Sequence, residues 1–193
     1  YSTDANLDAD HVLGGGEGTD TLKIDDLTAV ADSQLENNTS IEVLTSDATG
    51  LSATLDVYAQ AMGLTTITFA GTNASGVADT VTIQNDVTNA ITVNLDTSVA
   101  ADTNTVDATN YTGVITIAAA SDTAINVDSG VTSTLTGGTG TSDVLQIVGD
   151  TYTAAQLEST QAIEKYTITN DASANITTHS NNIADGKALV IDG

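Results

Sequence analysis

The sequence predicts a mainly β protein, a parallel β-helix or β-solenoid with short helical turns; modules of β-sandwich type are the alternative. Three observations point there. Near-equivalent β units recur as Ile67-Thr68-Phe69, Val81-Thr82-Ile83, Ile91-Thr92-Val93 and Ile115-Thr116-Ile117. Proline is absent and aromatic residues make up only 3% of the chain, too few for a typical sandwich core. Thr, Ala, Asp, Asn, Val and Ile dominate, a composition of strands and turns rather than long helices. Small β-branched residues can fill a narrow solenoid interior in which each coil covers the next.

Taken in order, residues 1–26 read as an acidic loop, a glycine turn and a short strand through Leu22 and Ile24. In Leu27–Asn37 the apolar residues Leu27, Val30, Ala31 and Leu35 sit at helical spacing, which predicts one or two helical turns. A strand Ile41–Thr45 follows. Strand centres are then expected at Leu55, Ile67–Phe69, Val81–Ile83, Ile91–Leu95, Ile115–Ile117, Ile125–Val127 and Thr134-Leu135, with a wider step around Val106. Val57–Met62 reads as one helical turn interrupting the series. Beyond it come Val144–Val148, a helical stretch within Tyr152–Thr160, a strand Ile163–Thr169, and short β units around Ile176, Ile183 and Leu189–Ile191.

Two glycine–aspartate turns mark a duplication. Gly15-Gly16-Glu17-Gly18-Thr19-Asp20 and Gly137-Gly138-Thr139-Gly140-Thr141-Ser142-Asp143 are each preceded by leucine (Leu13, Leu135) and followed by Leu-x-Ile. Leu35 matches Leu157 and Ile41-Glu42 matches Ile163-Glu164, at an offset of 122 residues. The organisation expected is a first glycine-turn module with solenoid coils over residues 1–136. Residues 137–193 then begin a repeated module of the same continuous solenoid. With no initiator Met or signal peptide before Tyr1, the sequence is expected to be a segment of a longer protein.

Charge narrows the function classes. Three basic residues stand against 26 acids, for a formal charge of −23. Nucleic acid is excluded as an expected partner because phosphate binding needs clustered Lys and Arg. No apolar run reaches the roughly 18 residues that a membrane helix needs, so membrane insertion is not expected. Without cysteine there is no disulfide frame, thiol nucleophile or thiolate metal site. His11 and His179, the only imidazoles, lie in no Ser/His/Asp or HExxH arrangement, so an enzyme is not expected. Lys23, Lys165 and Lys187 are scattered, which disfavours a polysaccharide-cleaving β-helix. Thr66-Ile67-Thr68, Thr80-Val81-Thr82 and Thr132-Ser133-Thr134 are unequally spaced, which disfavours an ice-binding ladder.

The intact Gly-Gly-x-Gly-x-Asp-x-Leu of Gly15–Leu22 resembles the nonapeptide of repeats-in-toxin (RTX) proteins, whose turns bind Ca²⁺ between adjacent coils of a β-roll. The wider layout resembles calcium-dependent bacterial S-layer proteins. The chain departs from the tandem pattern, since the intact motif is isolated and Ser142 is inserted before Asp143. The resemblance implies backbone carbonyl ligands around Gly16, Gly18, Gly138 and Gly140 and carboxylates from Asp20 and Asp143, with Asp8, Asp10 and Asp25 as further donors. Oxygen-only coordination suits Ca²⁺ better than zinc or copper. The alternative is that both turns are tight β corners only. The expected function is a secreted structural module of a bacterial cell surface, stabilised and assembled by Ca²⁺, with copies of itself as partners in a lattice or filament. A spacer or ligand-binding segment of a large RTX adhesin is the rival. A cell-surface glycan is a further candidate partner.

Overall fold

The computed structural model describes residues 7, 10–24, 29–46, 50–69, 79–95, 104–119, 127–128, 131–132, 134–137, 143–148, 151–155, 157–169, 175–183 and 188–192. The chain is a β-solenoid. An eight-stranded, wholly parallel sheet contains β1 (Thr21–Ile24), β3 (Val43–Ser46), β5 (Thr66–Phe69), β7 (Ile91–Leu95), β9 (Ile115–Ala119), β13 (Val144–Val148), β16 (Lys165–Thr169) and β18 (Val190–Asp192), in that spatial order. A six-stranded parallel sheet contains β2 (Ala29–Val30), β4 (Ser52–Leu55), β6 (Asp79–Ile83), β8 (Asn104–Asp107), β12 (Thr134–Thr136) and β15 (Thr160–Gln161). The chain passes from one sheet to the other and back, so each coil adds one rung and spatial order follows chain order. Two short pairs complete the ladders: antiparallel β10 (Val127–Asp128) with β11 (Val131–Thr132), and parallel β14 (Thr151–Tyr152) with β17 (Asn175–Ile176).

The interior is built from columns. In the larger sheet, register places Leu22, Leu44, Ile67, Val93, Ile117, Leu145 and Tyr166 one above another. Each of them is at most 3% exposed. Val30, Ala53, Val81, Val106 and Leu135 form the facing column of the smaller sheet. Intervening residues such as Thr92 and Asn94 are only half-buried, as the two-residue period of a strand requires. Burying one Val, Leu or Ile side chain contributes about 1.5–3 kcal/mol, so a column gains with every coil added. Coil length varies: Lys165 pairs with Val144, 21 residues earlier, whereas Val144 pairs with Thr116, 28 residues earlier. The ladders tolerate this because only the strand residues must stay in register, and the connections take up the difference.

Local structure departs from expectation in four places. Ala29–Val30 is a strand and only Asp32–Leu35 is helical, as a 3-10 turn. Asn104–Asp107 is a full rung in the wide step around Val106. Val127–Asp128 pairs backwards with Val131–Thr132 instead of stacking on the previous coil; Ile125 lies outside the described residues. Tyr152 begins as strand, and no helix forms before Thr160 among the described residues. The helical turn Val57–Met62 (α1) is present, closed by Gly63 at φ 95°, a left-handed conformation that glycine adopts without strain.

Candidate functional site

The two glycine turns occupy equivalent positions in their coils. Gly15 donates its N–H to the Thr39 carbonyl at 3.0 Å, and Gly137 does the same to Gln161 at 2.9 Å. A Cβ on Gly15 would strike the Ser40 carbonyl, and one on Gly137 the Ala162 carbonyl. These first glycines are therefore required by close backbone approach. Ser40 (φ 54°) and Ala162 (φ 53°) share the same left-handed bend. Gly16 (φ 100°) and Gly18 (φ 114°) are exposed and meet nothing that a Cβ would touch, so backbone conformation alone demands glycine there.

Each turn delivers its aspartate to the residue just before a strand. Asp20 donates its N–H to Glu42 Oε2 at 2.9 Å, and its carbonyl accepts Glu42 N–H (3.2 Å) and Val43 N–H (3.0 Å). Asp143 repeats this with Glu164 Oε2 (2.9 Å), Glu164 N–H (3.1 Å) and Lys165 N–H (3.1 Å). The insertion of Ser142 leaves this arrangement unchanged. Glu42 and Glu164, legible in the sequence only as landmarks of the duplication, thus complete each turn.

The side chains of the two aspartates differ in surroundings. Asp143 is fully buried, and its Oδ1 accepts the Ile115 N–H of the preceding coil at 3.0 Å. Asp20 stands in the first coil; its Oδ2 is buried without a hydrogen-bond partner. A cavity of about 170 Å³ lies beside it, lined by Leu13, Gly14, Gly15, Asp20, Thr21, Leu22 and Ile41.

This carboxylate-to-amide contact recurs. Asn38 Oδ1 accepts from Leu13 N–H (3.0 Å), Glu42 from Asp20, Asp79 from Leu51 (2.8 Å), Asp143 from Ile115 and Glu164 from Asp143. In every case the acceptor residue sits opposite the donor in the next coil, at the entrance to a strand. There the backbone ladder has not begun, so the forward-pointing N–H needs a side-chain oxygen. At Ile91 the same need is met by the Val114 carbonyl at 3.0 Å. The sequence signal is an acid or Asn one residue ahead of an x-apolar step: Asp20-Thr21-Leu22, Glu42-Val43-Leu44, Asp79-Thr80-Val81, Asp143-Val144-Leu145 and Glu164-Lys165-Tyr166.

The remaining candidate ligands are dispersed. Asp10 is exposed in the loop ahead of the first turn; Asp8, Asp25, Gly138 and Gly140 lie outside the described residues. Strands β3, β5, β7 and β9 separate β1 from β13, so the two aspartates are about 24 Å apart at a strand spacing near 4.8 Å. One ion cannot bridge them. The coil next to Asp20 presents Glu42 rather than a second glycine turn, which departs from the tandem arrangement in which successive turns share an ion. Among the described residues no three His, Cys, Asp or Glu side chains form a metal-ligating group. What fits Ca²⁺ at the first turn is one buried carboxylate oxygen lacking a protein partner.

Tyr111 packs against the second site. Fully buried, it donates its hydroxyl to the Asn89 carbonyl and lies 3.2 Å from the Val114 carbonyl oxygen. Burial first, then the nearby Asp143 charge, pushes its pKa up to about 12, against a lowering effect from a backbone hydrogen bond to Ile91. Burial also raises Tyr166. His179 caps a 3-10 turn, its Nδ1 accepting the Asn181 N–H at 3.2 Å.

Fold and site together define a parallel β-solenoid whose coils are joined by side-chain clips. No protein-family model, curated protein or solved structure matches the chain.

Proposed function

We propose that the chain is a structural module of a secreted, self-assembling bacterial surface protein of the S-layer kind, with Ca²⁺ as its stabilising ion and copies of itself as partners. The observation that carries this reading is the use made of its carboxylates. At Glu42, Asp79, Asp143 and Glu164 they hold one coil on the next. Such a molecule does mechanical work. Its coils resist separation through backbone ladders, apolar columns and clips.

The −23 formal charge gives Ca²⁺ its part. Copies repel each other at low ionic strength, and divalent cations bound among the carboxylates would offset that repulsion. The first glycine turn is where an ion would bind most directly, through Asp20 and the carbonyls around Gly16 and Gly18. A metal bound only by the folded state stabilises it by mass action.

The test is a calcium titration read by melting temperature and electron microscopy. Ca²⁺ is expected to raise the melting temperature above that in chelator and to promote ordered arrays or filaments. An unchanged melting temperature would remove the metal. A stiffened but strictly monomeric protein would favour the adhesin spacer instead.

A further inference from the structure

We propose that the solenoid stacks head to tail, with β18 of one copy adding in parallel to the β1 edge of the next and Asp20 accepting the hydrogen bond that sets the register. This rests on the scaffold reading and names the surface through which the scaffold would assemble.

The contact between coils inside the molecule is the template. β1 and β18 are the two outermost strands of the larger sheet, and every strand between them is parallel. Joining the tail of one copy to the head of another therefore needs only a translation along the solenoid axis. Each end carries a mark of the coil beyond it. At the tail, register places Ile191 over Tyr166, at the end of the inner column. Its predecessors in that column are at most 3% exposed, yet Ile191 is 48% exposed and neighbouring Val190 53%. At the head, Asp20 stands where Asp143 stands in its own coil, but Oδ2 is buried without a partner beside the 170 Å³ cavity.

Extending the internal register across the junction pairs Val190 with Thr21, Ile191 with Leu22 and Asp192 with Lys23. Ile191 then continues the apolar column. The Val190 N–H bonds the Glu164 carbonyl at 2.9 Å, facing the preceding coil. Successive N–H groups along a strand alternate in direction, so that of Leu189 points away from β16, towards the added coil. There it meets Asp20 of the next copy, as Ile115 meets Asp143 within the chain. Asp192 falls opposite Lys23, a favourable cross-strand pair in a chain with only three basic residues. The interface is heterologous and does not close, so it produces filaments rather than a fixed oligomer. Net charge opposes it, so stacking strengthens as salt or Ca²⁺ screens the acids.

Sedimentation of the 193-residue chain over a range of concentration, in NaCl and separately in Ca²⁺, tests the proposal. The expected result is a mass that keeps growing with concentration and salt. Asp20→Ala blocks the head and Ile191→Asp the tail, each weakening association at least tenfold. A mixture of the two variants has one usable head and one usable tail, and should stop at a one-to-one dimer. Melting curves report whether each variant folds. Should Asp20→Ala fail to fold, Ile191→Asp, at an exposed position, carries the test. Assemblies that tolerate both substitutions would overturn this interface and leave the scaffold reading standing. A monomer under every condition would overturn both. Calcium binding lost in Asp20→Ala, with the protein monomeric throughout, would make the first turn a metal site and end the proposal.

Discussion

At the scale of single residues, Asp143 shows what the acids of this chain do. Its buried carboxylate accepts the Ile115 N–H, and its own N–H is accepted by Glu164. Asp143→Leu leaves a buried amide without an acceptor, which costs about 1–3 kcal/mol. Asp143→Asn keeps an acceptor oxygen and should lose less. Urea midpoints of the two variants measure the difference, and equal losses would argue against the clip. Tyr111 predicts a pH dependence. Its folded pKa of about 12 lies above the ordinary 10.0, so the neutral phenol is favoured by folding. That contribution is complete below pH 10 and is lost as pH climbs from 10 through 12. Stability should therefore fall across this window, with Tyr111→Phe flattening part of the fall. Urea midpoints read alongside phenolate absorbance provide the check.

The helical turn α1 shows, at the scale of elements, how one coil shapes the next. Asp56 at its N-terminus makes no side-chain cap. The cap comes instead from Asp32 in the preceding coil, whose oxygens accept the N–H groups of Asp56 (2.8 Å), Tyr58 (2.9 Å) and Ala59 (2.9 Å). A helix of six residues has little stability of its own, so this external cap bears on whether it forms. Asp32→Ala is expected to cost about 1–2 kcal/mol, the range of a strong N-cap. Hydrogen exchange should localise the loss to Asp56–Ala59 rather than to the distant rungs. Periodicity located α1, since Val57–Met62 ends at a glycine. The same reasoning misjudged Ala29–Val30, because apolar residues at helical spacing in a short window also suit a strand followed by a 3-10 turn. Asn104–Asp107 escaped notice because Val106 is the one aliphatic residue in the rung. Its membership is decided by β6 and β12 on either side.

For the molecule as a whole, charge and stacking work against each other. The ladders favour adding coils, while the −23 charge favours keeping copies apart. Comparing Ca²⁺ with Na⁺ at equal ionic strength separates specific binding from screening. A higher melting temperature in Ca²⁺ alone indicates bound ion, whereas equal gains indicate screening. The duplication belongs to this scale too. Its halves are not adjacent units; coils through β5, β7 and β9 lie between the two turns. Both sheets run across Gly137 without interruption, since β12 pairs with β8 and β15, and β13 with β9 and β16.

The sequence by itself determined the solenoid class, because short β-branched units broken by Gly, Asn and Asp can bury their apolar faces only by stacking. It also determined the two equivalent turns, because the glycine φ angles and the Asp-x-Leu step are local properties. Tertiary structure alone decided what the aspartates face. Whether a carboxylate meets an ion, a solvent molecule or a backbone amide depends on the coil above it. That coil lies 21 to 28 residues away in sequence, at a distance set by connections of irregular length. Asp143 has such a coil and is occupied by it. Asp20, identical in local sequence logic, presents the same oxygen at the end of the stack.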